Sequence, residues 1–187
     1  MVSTIDTTTK KISLHADKTW FIADPHFSHE SIRKFCARPF STVEEMDEAM
    51  WDNLGVVGAD ETLVVIGDLT WNMKDDKDVK RLPGKHKILV KGNHDKVAIP
   101  RSRKWSRICD YLEVTALMDG KARQGMVLSH YPMASWAGAR RSVHLHGHTH
   151  GAIPPMVTEF GGRMDAGVDV WDYKPIRLRQ VLDKLAE

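Results

Sequence analysis

Residues 87–95 read KILVKGNHD, and this stretch decides the fold. The apolar run at 87–90 is typical of a buried strand. The turn GNHD at 92–95, which follows it directly, is rich in side chains that can bind a metal ion. In open α/β sheets, ligand sites gather beyond the carboxyl ends of the strands. The stretch therefore predicts a sheet strand that delivers polar ligands to a site at its end.

Four further motifs repeat this arrangement of an apolar run followed by polar ligands. They are Asp24-Pro25-His26, Gly67-Asp68, Ser129-His130 and Gly147-His148-Thr149-His150. Each motif alone is weak evidence, because a lone Asp-x-His or Gly-Asp is more often a polar turn. All five in succession, each after an apolar run, indicate loops that meet at one place.

The donors in these motifs predict a site for two metal ions. Seven donors are present, which is too many for one ion and suits two ions that share a carboxylate: Asp24, His26, Asp68, Asn93, His130, His148 and His150. On extended backbone, donors two residues apart face the same way, so each Asp-x-His or His-x-His pair could bind one ion or two adjacent ions. Imidazole and carboxylate ligands suit Mn, Fe, Zn or Ni, and the lack of thiols argues against an iron–sulfur cluster.

The composition restricts the class of protein. A chain of 187 residues with 42% hydrophobic and 28% charged residues is typical of one globular domain. The net charge of +2 requires neither a nucleic acid nor a membrane partner. Two cysteines, Cys36 and Cys109, cannot build a disulfide framework and fit a reducing compartment. The sequence has no apolar segment long enough to cross a bilayer and no secretory leader, so we expect a cytoplasmic protein.

Hydrophobic patterning predicts a mixed architecture of sheets and helices. Helical patterns between the early strands favour parallel pairing in the first half, whereas the second half is typical of antiparallel strands. Residues 111–117 and 126–128 are predicted to form a hairpin. A basic stretch at 101–109 is predicted to be helical. The Met46, Met50 and Leu54 side chains recur at helical spacing.

At these motifs the sequence resembles the calcineurin-like metallophosphoesterase family. The family pattern is Asp-x-His, Gly-Asp, Gly-Asn-His-Asp/Glu, a single His and Gly-His-x-His, and this chain has all of them in order. The flanking stretches FCARPF at 35–40 and AGVDV at 166–170 are similar to small bacterial and phage members, as is Phe27-Ser28-His29. The resemblance covers nearly the whole chain after its first dozen residues. One position departs from it, because larger members often have Asp or Asn where this chain has Trp71, with Asn72 beside it.

The resemblance implies an α/β fold, namely a four-layer α/β/β/α sandwich with two divalent metal ions at the strand ends. Residues 14–187 would form this single domain, and residues 1–13 an N-terminal extension. One ion would be held by Asp24, His26 and His150, and the other by Asn93, His130 and His148. Asp68 would bridge both ions, His94 would be the catalytic histidine, and Asp95 would orient it. Mn is the favoured metal, with Fe, Zn, Ni or Mg as alternatives.

The implied activity is hydrolysis of phosphate esters by a metal-bridging hydroxide, with His94 assisting the leaving group. Phosphodiesters of nucleotide or cyclic nucleotide type are the first choice of substrate. A phosphomonoesterase acting on a nucleotide or small metabolite, and a non-catalytic metal-binding scaffold, are the alternatives. The basic stretch at 101–104 leaves a nucleic-acid partner open, although such a short run is more often a solvated surface. No membrane partner is expected, and the oligomeric state is not predicted.

Arg38 is predicted to contact the substrate, because a guanidinium group binds phosphate through two parallel hydrogen bonds. Arg140 and Arg141 are weaker candidates for the same role. Trp136 could line the mouth of the site, although packing is the more frequent role of such a residue. His29 lies near the first metal motif and could face either a ligand or the substrate.

Overall fold

The computed structural model describes residues 11–72, 75–96, 98–119 and 122–187. The strands in this part of the chain are β1 Lys11–His15, β2 Thr19–Ile22, β3 Thr62–Ile66, β4 His86–Val90, β5 Arg107–Cys109, β6 Tyr111–Leu117, β7 Arg123–Ser129, β8 Ser142–His146, β9 Met156–Thr158 and β10 Gly161–Asp165. The helices are α1 Glu30–Phe35, α2 Val43–Leu54, α3 Lys77–Arg81, α4 Ala98–Arg101 and α5 Leu178–Leu185.

The smaller sheet has four parallel strands in the order β2-β3-β4-β5. Helices α1 and α2 connect β2 to β3, helix α3 connects β3 to β4, and helix α4 lies between β4 and β5. The predicted parallel pairing in the first half of the chain is therefore confirmed. All four strands run in one direction, so the loops after β2, β3 and β4 leave the sheet at the same edge.

The larger sheet has six strands in the order β1-β6-β7-β8-β10-β9. The predicted hairpin of β6 and β7 is confirmed, and β9 also pairs with β10 in antiparallel fashion. The prediction of antiparallel strands throughout the second half is wrong, because β7 pairs with β8, and β8 with β10, in parallel. The segment 130–141 is long enough to serve as the crossover that a parallel pair needs.

Alternation along the strands places one core between the sheets and another beneath the helices. Val64 of β3 and Leu145 of β8 belong to the same buried cluster, so the two sheets face each other. Val65 of β3 points to the opposite face and packs with Met46 and Met50 of helix α2. Helix α5 contacts both β2 and β10. The α/β class with two stacked sheets and flanking helices is thereby confirmed.

The basic stretch at 101–109 differs from the prediction of a helix. Helix α4 ends at Arg101, and residues 107–109 form strand β5 beside β4. Trp105 is buried and donates a hydrogen bond from Nε1 to the Ile99 carbonyl oxygen. This contact turns the chain back towards the sheet, where Ile108 pairs with Leu89. Tertiary packing therefore overrides the local helical pattern.

The N-terminal boundary also differs from the sequence-based division. Strand β1 begins at Lys11 and pairs with β6, so residues 11–13 belong to the larger sheet. The rest of the predicted extension, residues 1–10, lies outside the described residues. Within the described residues, no helix combines the length and apolar character that a bilayer crossing requires.

Candidate metal centre

The five sequence motifs meet at one edge of the two stacked sheets. Asp24 follows β2, Asp68 follows β3 and the GNHD turn at 92–95 follows β4. The larger sheet contributes His130 after β7 and the turn at 147–150 after β8. The predicted convergence of the polar loops is therefore what the structure shows.

The Asp68 carboxylate lies at the centre of this cluster. Its Oδ2 atom is 3.4 Å from His130 Nε2, 3.7 Å from His26 Nε2 and 3.9 Å from His94 Nε2. Its Oδ1 atom accepts a hydrogen bond of 2.8 Å from the His94 backbone N–H, which fixes the carboxylate in orientation. One carboxylate oxygen surrounded by imidazole nitrogens from three loops has the position required of a bridging ligand.

The first group of donors consists of Asp24, His26 and His150, whose ligand atoms all lie within 4.8 Å of one another. Asp24 Oδ1 and His26 Nε2 are buried and have no hydrogen-bond partner among the described residues. Burial raises the pKa of Asp24 to about 7 and lowers the pKa of His26 to about 3. Buried polar atoms without partners are costly in free energy, and a cation between them would satisfy both. These donors therefore fit a divalent metal ion.

The second group consists of Asp24, Asp68 and His130, again within 4.8 Å of one another. Asn93 Oδ1 lies 3.1 Å from His130 Nε2, and the His148 ring centroid lies 5.2 Å from that of His130. The site thus brings together all seven donors predicted from sequence. Asp24 lies close to both groups, since its Oδ1 atom is also 3.9 Å from His130 Nδ1.

The backbone at the ligands differs from the extended form assumed from sequence. Positive φ values between 47° and 69° occur at Asp24, His26, Asp68, His148 and His150. Left-handed backbone is costly for residues with a Cβ and is found where the surrounding structure imposes it, often at functional sites. The Asp-x-His and His-x-His pairs therefore converge through tight turns, and the prediction that they lie on extended backbone is wrong.

Glycines in the motifs let the backbone approach the carboxylates closely. A Cβ at Gly92 would lie 2.1 Å from Asp68 Oδ1, and one at Gly147 would lie 2.4 Å from Asp24 Oδ2. Both distances are shorter than any real contact of a Cβ with an oxygen atom. The Gly before Asn93 and the Gly before His148 are thus explained by the space that the two carboxylates occupy.

Asp95 has a different role from the one predicted. Its Oδ2 atom accepts hydrogen bonds from the backbone N–H groups of Asp68 and Gly92, and its Oδ1 atom accepts one from Leu69. The carboxylate is buried among these donors and faces the backbone. Asp95 therefore ties the loop after β4 to the loop after β3, and it orients Asp68 rather than the His94 ring.

Arg38 is also corrected, because it is not available to a substrate. Its side chain is fully buried and forms a bidentate pair with Asp169, with distances of 2.8 Å and 2.9 Å. It also donates hydrogen bonds to the carbonyl oxygens of Asp24 and Pro25. Asp169 in turn lies 2.7 Å from His150 Nδ1. Arg38 and Asp169 thus position two predicted ligands from behind the site.

Asp169 lies outside the five sequence motifs but contacts a predicted ligand. It lies in the AGVDV stretch at 166–170, which is similar to small members of the family, and its position in the sequence alone does not indicate this contact. Its bond to Nδ1 fixes the His150 ring, as second carboxylates commonly do for metal-binding histidines. Cys36 is close to the same pair, since Cys36, His150 and Asp169 form a third group of donors within 4.8 Å.

Replacing Arg38 with alanine should destabilise the fold by about 3–5 kcal/mol, because the buried Asp169 carboxylate loses its bidentate partner. Arg38→Lys should restore only part of this loss, since an ammonium group cannot form the same paired hydrogen bonds. The measurement is the free energy of urea unfolding, with the exposed Arg179→Ala as control. Normal stability together with a raised KM would instead support the substrate role predicted from sequence.

The other predicted substrate contacts lie away from the site. Trp136 is buried and donates a hydrogen bond from Nε1 to Ser142 Oγ, with its ring 5.3 Å from His144. Its role is therefore packing. Arg140 and Arg141 belong to the same segment and do not line the cavity at the predicted ligands.

The cavity beside the donors has a volume of about 360 Å³. His29 and Trp71 lie on its wall with their rings stacked at a centroid distance of 3.9 Å and an angle of 8°. The Trp71 ring is 4.9 Å from that of His94. The sequence position where this chain departs from larger family members thus faces the site directly.

Comparison with known proteins agrees with this geometry. A sequence model described as calcineurin-like phosphoesterase matches residues 18–162. An uncharacterized protein, MJ1445, from Methanocaldococcus jannaschii is 29% identical over 91% of this chain and 92% of its own length. The Gene 66 protein of Mycobacterium phage D29 is 25% identical over 90% of this chain and 97% of its own length.

A solved structure has a similar fold. The crystal structure of AQ665, a protein of unknown function from Aquifex aeolicus, matches with a TM-score of 0.65 and 28% identity, over 93% of this chain and 100% of that one. The family match spans most of the chain and includes every metal-ligand motif. The chain therefore belongs to the calcineurin-like phosphoesterase family, whose members are metal-dependent hydrolases of phosphate esters.

Proposed function

We propose that this protein is a phosphodiesterase that requires two divalent metal ions, with Mn as the preferred ion and nucleotide-type diesters as the substrate class. The observation that carries the proposal is the position of Asp68 Oδ2, between imidazole nitrogens from three separate loops at 3.4 Å to 3.9 Å. A shared carboxylate with donors on both sides is the arrangement that a pair of cations needs.

The two groups of donors would each hold one ion. Asp24, His26 and His150 form one group, and His130, with Asn93 and His148 beside it, would provide the other together with Asp68. When bound, the ions would polarise a phosphate group and lower the pKa of a water molecule. The protein's own contribution is to fix the donors, and the Arg38–Asp169 pair and the Asp95 carboxylate do so from behind the site.

The position of His94 supports a role on the substrate. Its backbone N–H is fixed by Asp68 Oδ1, while its ring lines the cavity and is about a third exposed. An imidazole can donate a proton near neutral pH, and a group at the cavity wall can reach the oxygen that leaves phosphorus. We assign His94 the role of protonating the leaving group.

The charge of the cavity favours diesters over monoesters. The described residues that line it include five histidines and no lysine or arginine. A monoester dianion or a polyphosphate chain carries more than one negative charge. Away from the metal positions, the lining residues offer no lysine or arginine to neutralise the additional charge. A diester has a single negative charge, which the two ions alone can balance. The monoesterase reading stays the alternative, since metal ions can also hold a dianion.

A comparison of an aryl phosphodiester with an aryl phosphomonoester tests this proposal. The protein is stripped of metal, reloaded with Mn, Ni or Mg and analysed for metal content. We expect about two ions per chain, and a kcat/KM for the diester at least roughly tenfold above that for the monoester. A faster monoester would assign the protein to the phosphomonoesterases. Metal binding without hydrolysis of either ester would favour a non-catalytic scaffold.

A further inference from the structure

Exposed aromatic side chains are concentrated beside the metal-ligand cavity. Phe35 is 79% exposed, Trp71 is 39% exposed and Tyr131 is 51% exposed. Phe35 and Trp71 both line the cavity, and the Tyr131 ring lies 4.6 Å from that of His148. Exposed apolar surface of this kind commonly marks a binding site, so these aromatic side chains indicate a ligand at the cavity.

Trp71 is held in place by two neighbouring histidine rings and is still partly exposed. One face of the indole stacks on His29, whose own Nδ1 is 3.4 Å from His26 Nδ1. The contact with His29 and the nearby His94 ring fix the indole plane next to the donors. The remaining exposure of Trp71 leaves indole surface open to a ligand in the cavity. A ring that is already fixed loses little conformational freedom when a ligand stacks on it.

We propose that Trp71 and Phe35 form a stacking subsite for a planar ring carried by the substrate, so that the phosphoester group lies at the metal ions and the ring lies against the indole. This inference rests on the proposed function, because it names the organic group of the same substrate. A nucleobase and a simple aryl group share the required chemistry, which is a flat π-surface.

The described lining of the cavity favours an aromatic over a charged organic group on the phosphoester. Apart from the proposed metal ligands and His94, the described lining residues are His29, Ser31, Ile32, Phe35 and Trp71. Such a surface offers stacking and apolar contact but few hydrogen bonds. Selection would therefore depend on ring shape more than on the identity of a base.

Two non-hydrolysable ligands of equal charge and similar size test the subsite. Methyl(phenyl)phosphinate and cyclohexyl(methyl)phosphinate both place a phosphinate monoanion without an ester bond at the metals, but only the first has a planar ring. Dissociation constants are measured by calorimetry on the Mn-loaded protein. We expect the phenyl compound to bind at least about fivefold more tightly, and Trp71→Ala to bring the ratio to about one. Trp71→Phe should retain most of the preference.

Matched controls separate the possible outcomes. Phe160→Ala removes an aromatic side chain that is exposed to a similar extent as Tyr131 and lies outside the cavity, so the ratio should not change. A thymidine methylphosphonate distinguishes the two sources of a flat ring, because tighter binding than the phenyl compound would indicate a nucleobase ligand. Equal binding of the phenyl and cyclohexyl compounds, or a preference that survives Trp71→Ala, would overturn the inference.

The failure of this inference can be told apart from failure of the proposed function. Diester hydrolysis with no preference for the planar ring would keep the function and remove the subsite. A planar-ring preference that depends on Trp71, in a protein that hydrolyses no ester, would keep the subsite and remove the function.

Discussion

Replacing Asp68 with alanine is expected to empty both metal positions and to lower phosphoester hydrolysis by about a thousandfold or more, because the chemistry depends on the two cations. The physical reason is the placement of one carboxylate between the two groups of donors, with its Oδ2 atom near His26, His94 and His130. Among the described residues that line the cavity, Asp68 is the one carboxylate.

The measurement is metal content per chain by elemental analysis, together with kcat for an aryl phosphodiester. Asp68→Asn is the second variant, because it keeps the size of the side chain and the acceptor for the His94 N–H but removes the charge. Asp110→Ala is the control, since this aspartate pairs with Lys91 at the surface. An Asp68→Ala variant that retained two ions would show that the carboxylate does not bridge them.

The sequence predicts the composition of the site because the ligands lie in short local motifs. Each motif combines an apolar strand with a turn that carries one or two donors, and the parallel strands β2, β3 and β4 bring three of these turns to one edge. Pattern and spacing are sufficient for that step. The seven predicted donors can be brought together from sequence for this reason, whereas a single motif such as Ser129-His130 carries almost no information.

What the sequence does not predict depends on contacts between distant residues. Arg38 and Asp169 are 131 positions apart, and only the fold shows that they neutralise each other instead of facing a substrate. The sequence likewise allows Trp136 to line the cavity, and only the fold shows that it packs against Ser142 and His144. The helix predicted at 101–109 fails for the same reason, because the burial of Trp105 outweighs local propensity.

The sequence also does not predict whether β8 and β10 run parallel or antiparallel to their neighbouring strands. Short apolar runs in the second half are equally consistent with antiparallel and parallel pairing, since the same alternation serves both. The crossover through residues 130–141 decides the outcome, and no turn signal in that segment distinguishes the two. His148 and His150 nevertheless reach the site, because the turn after β8 leaves the larger sheet at the same edge as the loop after β7.

His94→Ala should retain two ions, unlike Asp68→Ala, but its turnover should fall by about 10²- to 10⁴-fold. The loss should be greatest for esters with poor leaving groups, because such groups need a proton as the bond to phosphorus breaks, whereas a nitrophenolate leaves without one. The measurement compares kcat for a nitrophenyl diester and an alkyl diester. His86→Ala, at the start of β4 and exposed, is the control.

This leaving-group dependence separates the two roles that an imidazole at this position could have. The His94 Nε2 atom is 3.9 Å from Asp68 Oδ2, which would also be compatible with a ligand role. A ligand would affect metal content and would slow both esters by the same factor. A proton donor would leave metal content unchanged and slow the alkyl ester much more. An equal loss of kcat for both esters, accompanied by metal release, would therefore show that His94 is a metal ligand and not a proton donor.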